Sequence, residues 1–140
     1  MLLGSPRLTI DIDFIGDDVS PSELDKILMQ AARELKIYVE PVPIERFIPI
    51  PKGSDKRTIR IGQFGNLEVF VADPYVIALS KLDRAFDTDF DDLIFLIQRN
   101  LVDLNQLERM MRDALSRARE FDMNPDEVLA HLQELKDRLK

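Results

Sequence analysis

An α/β (α+β) domain, built as a small mixed sheet with flanking helices and a C-terminal helical pair, is predicted by three features of this sequence. Apolar and polar residues alternate from Arg7 to Ile15 (RLTIDIDFI), as in a half-buried strand. The runs RTIRIGQ and LEVFV flank Gly65-Asn66, as the arms of a hairpin flank its turn. The second half carries a series of capped helical patterns. With 140 residues the chain has the length of one domain and can bury a sizeable core. The reading is therefore a single domain over 1–140, mainly sheet with one helix over 1–73 and helical over 74–140.

In the first strand Leu8, Ile10, Ile12 and Phe14 point one way, and Thr9, Asp11 and Asp13 the other. Two carboxylates at i and i+2 raise each other's pKa unless a cation lies between them. A divalent metal would account for the pair; an ordinary strand with a solvated polar face is the alternative, and the residues alone leave both open. Gly16-Asp17-Asp18 then reads as a turn, and Ser20-Pro21-Ser22-Glu23 as a capping box with proline at the first helical position. Leu24, Ile27, Leu28, Ala31, Ala32 and Leu35 form one stripe of the helix that follows. A short strand is expected over Ile37 to Val39, ended by Pro41 and Pro43, and an extended edge segment over Phe47 to Pro51. In the hairpin Leu67, Val69 and Val71 share one face, and Glu68 and Phe70 the other. A third carboxylate, Glu68, reaches the aspartate pair if the strands are neighbours; the alternative is a solvated residue on a half-exposed hairpin.

Asp73-Pro74 opens a helix whose run YVIALSKL is apolar almost all round, interrupted by Lys81. That ammonium either meets a carboxylate cluster or a phosphate, or reaches the surface on its apolar stem. Thr88 to Asp92 opens the next helix with acids that suit its macrodipole, so capping is sufficient reason for them. Asp103 and Asn124 cap two more helices, read as an antiparallel pair, with Met110 and Met111 as core filler and His131 as a surface or packing residue. The basic segment Pro51 to Arg57 reads as a turn or as a phosphate loop.

Composition limits the function classes. There are 26 acidic and 19 basic residues, for a net charge of -7, which argues against a broad nucleic-acid-binding surface. Without cysteine there is neither a disulfide framework nor a thiolate metal site. No long apolar run or signal-peptide pattern stands at the N-terminus, so a soluble, cytoplasmic protein without a membrane segment is expected.

Three stretches carry a family likeness: LLGSPRLTIDIDF at 2–14, LEVFVADPYVIALSKLDR at 67–84 and DFDDLIFLI at 89–97. With them the chain resembles the minimal nucleotidyltransferase superfamily, and most the branch linked to abortive infection and toxin–antitoxin systems. The resemblance implies transfer of a nucleoside monophosphate from a nucleoside triphosphate to a hydroxyl, with Mg2+ or Mn2+ as cofactor. By the same resemblance Asp11 and Asp13 are metal ligands, Glu68 is the third ligand or catalytic base, Lys81 is a phosphate contact, and Asp89 and Asp92 are the later acid pair. Nucleotide is the implied partner, and a toxin–antitoxin-type protein partner and a homodimer are compatible with it. The chain departs from the family pattern at Gly4-Ser5, which only five residues separate from Asp11, where the family places its phosphate-cradling Gly-Gly or Gly-Ser about ten residues ahead. Two explanations stand: a start downstream of the true one, or a reduced form without the cradle. The latter favours the alternative function, a non-catalytic antitoxin-like or oligomerising relative that keeps the fold without turnover.

Overall fold

The computed structural model describes residues 11–14 and 24–140, and the chain divides into two compact units, Met1–Ile44 and Glu45–Lys140. The first unit holds β1 (Asp11–Phe14), α1 (Leu24–Leu35) and β2 (Tyr38–Pro41). β1 and β2 pair in parallel, the arrangement that a connecting helix between two strands allows. Lys36 turns α1 off with a left-handed φ of 55°, and the Ile37 amide donates to the Ala32 carbonyl at 2.9 Å; this is a Schellman stop made without glycine. α1 lies along β2. Of its expected apolar stripe Ala32 is buried and Leu28 half-buried, while Ile27, Ala31 and Leu35 are exposed. The turn at Gly16–Asp18 and the helix start at Ser20–Glu23 lie outside the described residues, as does the strand before Asp11.

β2 reaches Pro41, two residues beyond the expected end, and thereby includes Glu40. Pro41 is tolerated because the next amide, Val42, is the one that donates to β1, and since alternate residues of a strand bond to a given neighbour, the Pro41 nitrogen faces away from β1. The expected extended segment at Phe47 to Pro51 is not a strand; it begins with a turn at Phe47 and a bend at Ile48, and Ile48 and Pro49 are buried. The prolines at 49 and 51 remove the donors a ladder would need there.

In the second unit β3 (Ile59–Phe64) and β4 (Leu67–Val71) form an antiparallel hairpin. Its turn sits at Gly65-Asn66, with Gly65 at φ 64°. The register slips between Arg60 and Gly62, so Ile61 is the extra residue of a bulge and the simple alternation of RTIRIGQ breaks there. Four helices follow: α2 (Pro74–Arg84), α3 (Asp87–Gln98), α4 (Leu104–Leu115) and α5 (Pro125–Arg138). α2 packs against α3, α4 and α5, consistent with its nearly all-round apolar sequence. Leu79, Leu82, Leu93, Leu107, Met111 and Leu135 are fully buried around it. The caps act as their residue types dictate: Asp73 accepts from the Tyr75 amide at 2.9 Å, Asp103 from Gln106 at 2.7 Å and Asn124 from Asp126 at 3.2 Å. Among the described residues no helix is long and apolar enough to cross a membrane.

Candidate functional site

The β1–β2 register brings Asp11 beside Tyr38, Ile12 beside Val39, Asp13 beside Glu40 and Phe14 beside Pro41. Laterally paired residues of neighbouring strands lie on the same face, about 4.8 Å apart. Asp13 and Glu40 are paired and Tyr38 lies two residues before Glu40, so the face that carries Asp13 also carries Tyr38 and Glu40. Asp13, Tyr38 and Glu40 are all exposed. Glu40 is an acid beside Asp13 that sequence reasoning missed. Its signal was the strand–helix–strand order, which makes β1 and β2 parallel neighbours, but the partner of position 13 depends on a register that local sequence does not encode.

Glu68 belongs to the second unit. It pairs with Gln63 across the hairpin, and its Oε1 accepts from Nε and Nη2 of Arg60, both at 3.3 Å. The two side chains are 54% and 52% exposed, so water competes for both and the pair holds Glu68 weakly.

Lys81 sits in a network in which its ammonium is already engaged. Its Nζ lies 3.2 Å from Asp89 Oδ1 and 2.6 Å from Asp92 Oδ2, and its side chain is mostly buried. Arg84 grips the same Asp89 with both prongs of its guanidinium, Nε to Oδ2 at 2.9 Å and Nη2 to Oδ1 at 2.6 Å. The Phe86 amide donates to Oδ2 at 3.2 Å, so Asp89 also caps α3, as its position in the sequence suggests. Burial alone would push the Asp89 carboxyl upward; the hydrogen bonds from Arg84 and Lys81, the Lys81 charge and the Phe86 amide outweigh it and bring the pKa down to about 2. The sequence placed a lysine and two acids at these positions without indicating that they meet each other. Their spacing across two helices joined by a tight turn at Ala85 was the available signal.

A second buried acid, Asp73, is also paired. Arg57 Nε donates to its Oδ2 at 2.9 Å, while Nη2 lies 2.7 Å from the same oxygen as an ion contact outside hydrogen-bond geometry. Nη1 of Arg57 donates to the Lys52 carbonyl at 3.0 Å, and the guanidinium carbon lies 5.7 Å from the centre of the Tyr75 ring. The last basic residue of the 51–57 segment is thus tied to the cap of α2. Nδ1 of His131 lies 2.8 Å from the Leu82 carbonyl; a carbonyl only accepts, so Nδ1 carries the proton and His131 satisfies an orphan carbonyl in the last turn of α2.

The donor set suits a hard divalent cation. Carboxylate oxygens are what Mg2+ and Mn2+ take, no thiolate exists to favour a softer metal, and Asp13 and Glu40 are exposed on adjacent strands. Among the described residues no three His, Asp or Glu side chains converge on one point. Magnesium bound together with nucleotide does not require that, because one or two carboxylates and the substrate's phosphates complete its shell.

A family model described as "Nucleotidyltransferase of unknown function (DUF6036)" matches residues 2–140. No curated protein and no solved structure matches the chain.

Proposed function

The chain belongs to this nucleotidyltransferase family, and on that premise we propose that it transfers a nucleoside monophosphate from a nucleoside triphosphate to a hydroxyl acceptor, with magnesium or manganese held by Asp11 and Asp13. The observation that carries the reading is the family match over nearly the whole chain, with the acid-X-acid motif falling within β1. A divalent ion bound there supplies Lewis-acid stabilisation of charge on the triphosphate and lowers the pKa of an attacking hydroxyl. Asp11 and Asp13 fix it from one strand. Glu40, paired with Asp13 in the sheet register, and Glu68, the acid of β4, are the two candidates for third ligand or general base. The acceptor oxygen forms a bond to the α-phosphorus, the bond from that phosphorus to the bridging oxygen breaks, and pyrophosphate departs. The hydroxyl proton passes to the carboxylate that is not occupied as a ligand. Lys81, neutralised by Asp89 and Asp92, serves in this reading as part of the scaffold between α2 and α3 rather than as the phosphate contact that the resemblance implies. The abortive-infection and toxin–antitoxin branch belongs to the same proposal and rests on the resemblance at 2–14, 67–84 and 89–97.

Calorimetric titration with manganese and an α,β-non-hydrolysable ATP analogue tests it. The wild-type chain binds the pair, Asp11→Ala with Asp13→Ala abolishes binding, and Glu40→Gln and Glu68→Gln identify the third acid by which of them weakens it. Binding that survives in the double variant refutes the metal assignment. A wild-type chain that binds nothing is a relative without turnover.

A further inference from the structure

We propose that Tyr38 is the stacking platform for the nucleobase, which makes the site a purine-favouring one that reads the flat face of the base and not its edge. The inference rests on the carboxylate reading of Asp11 and Asp13 given above. β2 pairs Tyr38 with Asp11 and Glu40 with Asp13. Lateral neighbours and i, i+2 neighbours lie on one face of a sheet, so an aromatic ring stands on the face that carries the acids. Tyr38 is 60% exposed, a large share of an aromatic residue to leave in water beside charged neighbours. From the strand spacing, the backbone at 38 lies about 8 Å from that at 13. A ribose and its 5′-oxygen bridge such a span between a metal-held α-phosphate and its base.

A ring suits this task for a physical reason. Every base has a π-face, so stacking gives affinity without requiring a hydrogen-bond match, and the larger purine gains more of it than a pyrimidine. Tyrosine, with an apolar body and a polar tip, fits a ring that is wet when the site is empty and covered when it is filled. Among the described residues Asp13 and Glu40 share this face with Tyr38, and the reading above gives acids the metal and the proton. Among these residues the ring is the feature suited to the base.

The experiment compares two probes on the full chain with manganese: the α,β-non-hydrolysable ATP analogue, and tripolyphosphate, which has the phosphates but no base. Tyr38→Ala is expected to weaken the nucleotide about tenfold, within the range of one stacked base, to leave tripolyphosphate affinity unchanged, and to erase the preference for ATP over UTP analogues. Tyr38→Phe restores both affinity and preference. Equal weakening of the two probes by Tyr38→Ala marks a structural role and overturns the inference, as does no weakening of either. A wild-type chain that binds tripolyphosphate as tightly as nucleotide overturns it too, and leaves the metal site standing. If the Asp11→Ala, Asp13→Ala double variant keeps both probes, the carboxylate reading has failed and this inference falls with it.

Discussion

Substituting Asp89 by asparagine separates the charge of the buried network from its shape. In the folded protein the Asp89 carboxyl titrates at about 2 against an ordinary 3.8, and the side chain is only 1% exposed. The difference is worth about 2.5 kcal/mol of stability when the group is ionised. Breaking a buried pair outright usually costs more; here Lys81 keeps Asp92 at 2.6 Å, which limits the loss. Because the folded pKa is depressed, the contribution is complete above the unfolded value of 3.8 and disappears as pH falls through about 2. Wild type should therefore exceed Asp89→Asn by about 2.5 kcal/mol at neutral pH, by about 1.3 kcal/mol near pH 3, and by under about 0.5 kcal/mol near pH 2. Urea unfolding of both proteins, followed by circular dichroism across that pH range, measures the gap directly, and other carboxylates cancel in the difference. A gap that stays constant between neutral pH and pH 2, or one below 1 kcal/mol at neutral pH, refutes the assignment of Asp89 as the charged centre of this network.

Two further arginine–carboxylate pairs of the second unit, Arg57–Asp73 and Arg60–Glu68, should behave in opposite ways. Arg57→Ala strands the fully buried carboxylate of Asp73 and should cost about 3 kcal/mol, read as a fall in urea midpoint at unchanged slope. Arg60→Ala removes the partner of an acid that water reaches anyway and should cost less than about 1 kcal/mol in the same assay.

Local chemistry made much of the fold legible. Asp73, Asp103 and Asn124 were readable as caps because a short side-chain acceptor before an apolar helical pattern has one energetically obvious use. The hairpin was readable because Gly65 supplies the positive φ that its turn requires. What failed was decided by longer-range context. Alternation in RTIRIGQ implies a regular strand, yet an extra residue at Ile61 lets the register slip, and its local mark is Gly62, since an isolated glycine within a strand often accompanies a bulge. The extended reading of Phe47 to Pro51 accommodates its prolines by placing it at an edge, but among the described residues no strand pairs with it and the chain turns at Phe47 and bends at Ile48.

The candidate site shows the same division. Asp11 and Asp13 could be paired from sequence because both lie in one strand, where alternation alone puts them on one face. A third acid must come from another strand, and alternation says nothing about which residue will stand opposite. Glu68 stands in a clear strand, where the family resemblance places the third acid. Pro41 and Pro43 argue for a strand that ends at Val39, which leaves Glu40 outside it. The structure continues the pairing through Pro41 and on to the Val42 amide, which donates to the Phe14 carbonyl at 2.9 Å. That extension gives Asp13 an acidic neighbour, and the same register sets Tyr38, already inside the expected strand, beside Asp11. Accordingly, Glu40→Gln decides between the two acids: weakened manganese-dependent nucleotide binding assigns the third acid to Glu40, and unchanged binding assigns it to Glu68. A circular-dichroism spectrum and urea midpoint unchanged from wild type show that a loss of binding comes from the site, since the Asp89 network belongs to the other unit and does not report on β2.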